Sequence, residues 1–442
     1  MNEKFRVAQK IGLMFRPETS LPNDTKSWAI SQLHSNSPAL GISSFLSKVE
    51  PWPQSLQPDL IERAELFRLL QGTYLKNREI KNTKEKESKD HQNYIKHSMI
   101  KKDELKFAHR NVYGNDQIRL RLMSFWSNHF TIGDVFMNEA LLGHAMEDAI
   151  LANLNGSFSD MLYKVTTHPG MLTYLDNNNS AGEESKHHFW CRAQTDCQSG
   201  LNDNLGRELL ELHTVSPRAG YTESDVRQTA KVLAGWGAYF DESIKNLKKW
   251  NGTSNHWDMY KSHYAEPGNK TVMGKIIGTG KGGLRQLTDY LASNEYTVMH
   301  ISEKLCHHFV SDTPQKKDID FVANAWRRSQ GNLDQIHSAV IELAINSKDD
   351  KFQWPINWLF QVIRLSDASY FHGWESVHSS SKKLMDVEKI FEELGQSFFS
   401  ERQPNGYSSD KVEWLSGEML ERRLRFASAI HKLGRVKSSP EQ

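Results

Sequence analysis

The chain has 442 residues, with 55 Lys+Arg against 54 Asp+Glu and a formal net charge of +1. No global field draws it to nucleic acid or anionic lipid, and no run approaches the roughly 20 apolar residues that span a bilayer. Its three cysteines, Cys191, Cys197 and Cys306, are too few and too odd in number for a disulfide scaffold. The apolar run Ile11 to Phe15 is short for a secretory segment. The expectation is therefore a soluble, cytoplasmic protein with no nucleic acid and no membrane insertion.

In chain order, Lys76 to Lys106 comes first, dense in charge of both signs, with only Ile95 and Met99 as an apolar edge. It reads as a solvated helix or arm. Its mixed acids and lack of interleaved aromatics argue against nucleic acid. From Asp116 to Phe130, Ile118, Leu122, Phe125 and Trp126 share one helical face. Ser180 to Gly200 has no clear period and reads as a long loop. Leu205, Leu209 and Leu212 form the next stripe, and Thr222 is the expected N-cap of a helix carrying Val226, Ala230 and Leu233. Thr271 to Ile277 is the best strand signal. Val298, Ile301, Leu305 and Phe309 share another face, and Pro355 suits the first turn of a helix through Ile356 to Leu365. The reading is mainly α: one large multi-helix domain over residues 1–436, with long loops and at most a small hairpin. Residues 76–106 are expected to project, and residues 437–442 to fray.

Several clusters have chemical potential. His129 lies on the apolar stripe beside Phe125 and Trp126, flanked by Arg121 and Asn128. An inward imidazole in that setting suits acid–base work; more commonly such a histidine is a core group satisfied by a backbone carbonyl or a carboxylate. Glu208 edges a leucine stripe, with Asn204 and Glu211 on its side and Arg207 placed to pair with Glu211. His300, Lys304 and His307 share a polar face, while His308 lies at the margin of the apolar one. Lys304 occupies the i+4 position where a metal-binding helix would place a histidine, so a solvated face is expected there. His187, His188, Cys191 and Cys197 offer zinc-type donors, but H-H-x2-C-x5-C is a poor zinc spacing. Free thiols and no structural metal are expected, with Phe189 and Trp190 packing the loop onto the body. Gly278 to Gly283 contains G-x-G-x-x-G but lacks a following βαβ unit, so it reads as a turn.

Seven motifs occur in order: FWSNHF, HPGMLTYLDNNNS, GLNDNLGRELLELHT, GYTESDVRQTAKVLAGW, EPGNKTVMG, HISEKLCHHFVSDTP and LGQSFFSERQPNGY. Together they closely resemble the bacterial family called domain of unknown function 1800 (DUF1800). The resemblance implies a mostly helical protein and names no activity. Genes of that family often adjoin one for domain of unknown function 1501, whose members resemble sulfatases and alkaline phosphatases, which implies a partner by association. Asn128, His129, Asp176, Asn177, Asn204, Arg207, Glu208, Lys304 and His308 match the family's motif positions. The chain departs from the pattern at Leu151 and Asn153, at Ala265, and at Ser216 to Ala219, which marks a divergent member. Two functional readings follow. In one, an enzyme uses Glu208 as general base or cation ligand, His129 as proton shuttle and Asp176 as orienter, with hydrolysis as the least committed reaction. In it, Asn128, Asn177, Asn204, Arg207, Lys304 and His308 bind substrate. In the other, the chain is a non-catalytic binding or maturation partner of a domain of unknown function 1501 protein.

Overall fold

Capped amphipathic helices build the architecture. Thr222 and Asp225 form a capping box that opens the Glu223–Leu233 helix. Pro355 starts the Pro355–Leu365 helix, where its missing N–H is harmless. The computed structural model describes residues 3–17, 21–34, 58–79, 86–135, 138–195, 197–238, 259–368, 387–397, 401 and 403–433. Among them the fold is mainly α, and the strands are β1 (Lys270–Val272) and β2 (Lys275–Ile277). These pair antiparallel, Lys270 opposite Ile277 and Val272 opposite Lys275. Both turn residues have positive φ, Met273 at 46° and Gly274 at 78°. That geometry is why the expected single strand Thr271 to Ile277 breaks at its glycine into a tight hairpin. Gly278 to Gly283 then forms the expected turn into the Lys281–Ser293 helix.

The Gln117–His129 helix runs through the core. Its stripe is wider than its sequence shows, because Arg119 and Arg121 are buried too. Their guanidiniums satisfy backbone carbonyls: Arg121 donates to Gly12 O at 3.0 Å and Arg119 to Leu33 O at 2.6 Å. Trp126 is fully buried, and its indole N–H donates to His337 Nε2 at 2.9 Å. Arg364 ties distant segments together by donating to Met14 O at 3.0 Å and Val112 O at 2.8 Å. Such donors hold buried carbonyls that would otherwise lack partners.

The charged segment 76–106 falls on two helices, Leu60–Glu79 and Lys86–Tyr113, and residues 80–85 lie outside the described residues. At its end Met99, Ile100, Asp103 and Glu104 are buried, and Arg63 grips Asp103 with bonds of 2.6 and 2.9 Å. The tail 437–442 also lies outside the described residues. No helix among the described residues is long and apolar enough to cross a membrane.

Three expectations need correction in the Ser180 to Gly200 stretch. It contains a helix, Lys186–Arg192, capped by Ser185. Its period is invisible because only Cys191 among its residues is buried. Phe189 and Trp190 do not pack onto the body: they are 57% and 59% exposed. Cys191 and Cys197 are not free thiols but a disulfide, their Cα atoms 5.2 Å apart. The short helix carries Cys191 back to face Cys197, a closure that linear spacing does not reveal.

Candidate functional site

The Gln117–His129 and Glu295–Phe309 helices meet at their C-terminal ends, bringing together two histidines and a lysine. His129 Nε2 lies 3.2 Å from the His213 carbonyl oxygen. A carbonyl only accepts, so Nε2 carries the proton and Nδ1 presents its lone pair. Lys304 Nζ sits 3.0 Å from that Nδ1 and donates to it. No carboxylate pairs with Lys304 among the described residues. His213 and His300 complete the cluster, with ring centroids 6.3 and 6.4 Å from His129.

Burial governs the electrostatics. It lowers the Lys304 ammonium from 10.5 to about 8. It pushes His129 well below 6.5, with Lys304, His213 and His300 adding cationic repulsion. Burial followed by Lys304 brings His213 to about 3 and His300 to about 4. At neutral pH the cluster is three neutral imidazoles around one amine poised near its own titration.

This cluster opens to a cavity of about 350 Å³, lined by Phe125, Asn128, His129, Lys304 and His307 on one side. Asn405 and Tyr407 to Asp410 close the other. Asn128 is the clasp between them. Its Nδ2 donates to Tyr407 O at 2.9 Å, and its Oδ1 accepts from Tyr407 N at 2.7 Å. This mimics one rung of a β-ladder. The Trp354 and Trp414 indoles both donate to Ser408 O at 3.0 Å, and Lys351 Nζ donates to Ser409 O at 3.2 Å. Gly406 is required at this clasp. Its φ is +66°, and a Cβ there would lie 2.4 Å from Asn128 O. Hydrogen bonds to Tyr407, Ser408 and Ser409 thus hold this wall of the cavity.

The other residues expected at the site make contacts of their own. Glu208 is half-buried, its carboxyl pushed up by burial and then by Glu211. It makes no hydrogen bond to His129 among the described residues. Asp176 is exposed in a left-handed conformation at φ 57°. Asn177 donates to Leu233 O at 3.2 Å and Trp236 O at 2.8 Å, fixing a loop. Asn204 is exposed at the start of its helix. Arg207 pairs with Glu223 through bonds of 2.8 and 2.7 Å, while Glu211 accepts from the Tyr221 hydroxyl at 3.0 Å. The expected Arg207–Glu211 pair is therefore replaced by a bidentate contact to the neighbouring helix, the stronger geometry for a guanidinium. His308 is buried, 4.4 Å from the Trp354 ring and 5.4 Å from Phe125.

The largest correction concerns the Glu295–Phe309 helix. The face of His300 and Lys304 is only partly exposed; it turns toward His129, next to His213. Sequence reasoning missed His213, His300 and Tyr407 as neighbours of His129. The Asn405-Gly406 turn signal was the one local hint of the clasp.

A family model described as "Protein of unknown function (DUF1800)" matches residues 17–441. No curated protein and no solved structure matches the chain. With the family match spanning nearly the whole sequence, the chain belongs to the DUF1800 family.

Proposed function

We propose that the protein is an acid–base enzyme whose reacting base is Lys304, positioned by His129, with hydrolysis as the reaction class. The observation that carries this is the Lys304 Nζ to His129 Nδ1 contact of 3.0 Å, with no carboxylate counter-ion among the described residues, facing a cavity. A lysine with a purely structural role is usually paired; an unpaired one near its titration point at physiological pH is suited to proton transfer. His129 keeps its proton on Nε2, so its Nδ1 holds the amine in place without competing for the proton. When the amine is neutral, it takes a proton from a water or hydroxyl in the cavity and returns it to the leaving group. In this reading Glu208 and Asp176 are not the base and its orienter; they shape the surroundings.

A panel of ester, amide and phosphoester substrates tests this. Lys304→Met and His129→Asn are each expected to lower turnover at least ~100-fold, with the wild-type rate rising through a midpoint of about 8. Variants that turn over a cleaved substrate at the wild-type rate contradict it. A second reading, the non-catalytic partner of a domain of unknown function 1501 protein, is favoured by exposed apolar side chains near the C-terminal helix. Val412, Leu415, Leu420 and Leu424 are exposed, Val412 and Leu424 each at 71%. On that reading, Lys304 variants retain full function.

A further inference from the structure

The loop between the Pro169–Tyr174 and Asn204–Glu211 helices holds a second chemical cluster, remote in sequence from Lys304 and independent of the acid–base reading. His187 and Cys191 stand one turn apart on the Lys186–Arg192 helix, and Cys197 returns to face them. One ring nitrogen of His187 and the two sulfurs all lie within 4.8 Å of one another. The imidazole is already oriented. Its ring stacks on Tyr264 at a centroid distance of 3.8 Å, and its backbone N–H donates to His263 O at 2.8 Å.

We propose that this cluster is a redox-gated metal site: reduced Cys191 and Cys197, with His187, bind one Zn2+-type ion, and the disulfide is the metal-free form. Tetrahedral zinc takes sulfur at about 2.3 Å and imidazole nitrogen at about 2.0–2.1 Å, which places donor atoms roughly 3.5–3.8 Å apart. The three donors are within reach of that spacing once the S–S bond opens. Two thiolates neutralise the ion's charge, and water fills the fourth position. The H-H-x2-C-x5-C spacing resembles no common zinc motif, but helical geometry brings His187 and Cys191 to one face and the turn supplies Cys197.

The chemistry balances with a dithiol reductant. It gives two electrons and two protons to the Cys191–Cys197 bond and becomes a disulfide itself. The two thiols formed release both protons on binding the metal. A reducing compartment therefore favours the metal-bound form and an oxidising one the disulfide.

The test uses the full chain, reduced with a dithiol that is then removed under anaerobic conditions, and titrated with Co2+. One Co2+ per chain is expected, with a thiolate-to-cobalt charge-transfer band that Zn2+ abolishes. The oxidised protein is expected to show no such band. Cys197→Ser, at a position not fully buried, loses the band while keeping the wild-type circular dichroism. His187→Ala weakens binding at least ~10-fold, and His188→Ala binds as wild type. A reduced wild type that takes up no Co2+, or a His187→Ala variant that binds as tightly as wild type, overturns the proposal.

Discussion

Lowering the pH to about 5 is expected to unfold this protein, before most carboxylates protonate. His129, His213, His300, His308 and His337 are held neutral, each below the ordinary 6.5, chiefly by burial. In the unfolded chain they titrate near 6.5, so below that pH the unfolded state binds more protons than the native one. Stability is then lost as pH falls, at about 1.4 kcal/mol per pH unit for each histidine. Five acting together give roughly 7 kcal/mol per unit while all stay neutral in the native state. Over one unit that matches the whole stability of a typical domain, about 5–15 kcal/mol. Urea denaturation between pH 7 and 5 checks this, with an expected slope of about five protons. His337→Gln keeps an acceptor for the Trp126 indole but cannot protonate, and the slope then drops by one. A wild type that stays native at about pH 4.5 contradicts the neutral buried cluster.

Replacing Lys304 by Met is expected to stabilise the fold at neutral pH while removing activity. Methionine fills a similar volume without a charge. The lysine ammonium is held at about 8 rather than 10.5, which corresponds to roughly 3 kcal/mol against the native state when it is charged. Losing the amine leaves His129 Nδ1 facing the cavity, where water can satisfy it. The net gain is therefore about 1–3 kcal/mol. Its pH dependence has a definite sign. Below pH 8 both states carry the charge and the penalty is complete. Between about 8 and 10.5 only the unfolded lysine stays protonated, so the wild type gains stability as pH rises. The advantage of Lys304→Met is thus largest near pH 7 and gone above 10.5. Denaturation of both proteins at about pH 7 and pH 10 measures it. A variant less stable than wild type at both values identifies Lys304 as a structural strut. The opposite result, stability gained as function is lost, marks a residue kept for its chemistry.

Much of the scaffold is legible in the sequence because its helices bury one stripe and announce their ends. Thr222 with Asp225 and Pro355 are local signals, and the structure uses them as read. The Lys186–Arg192 helix escapes because its large apolar residues, Phe189 and Trp190, face solvent. The site escapes for a different reason. A polar helical face looks the same whether its neighbour is water or another buried polar group. His129 was legible as an inward histidine, since its own stripe shows it. Its other partner, Lys304, lies 175 residues away, and the clasp from Asn128 to Tyr407 spans 279. No periodicity encodes such pairings; only the packing of the Gln117–His129 helix on the Glu295–Phe309 helix creates them.

The most direct measurement is the titration of the Lys304 amine itself. A small amine-reactive reagent is applied across pH 6.5 to 11, and the rate of modification of each lysine is followed by peptide mass spectrometry. Lys304 is expected to react through the cavity with a midpoint near 8, well below the ordinary lysine value of 10.5. In His129→Asn the contact to Nδ1 is lost and the labelling profile of Lys304 changes, while the other lysines keep theirs. A Lys304 midpoint near 10.5, or an amine that no reagent reaches in the native protein, contradicts an acid–base centre at this site.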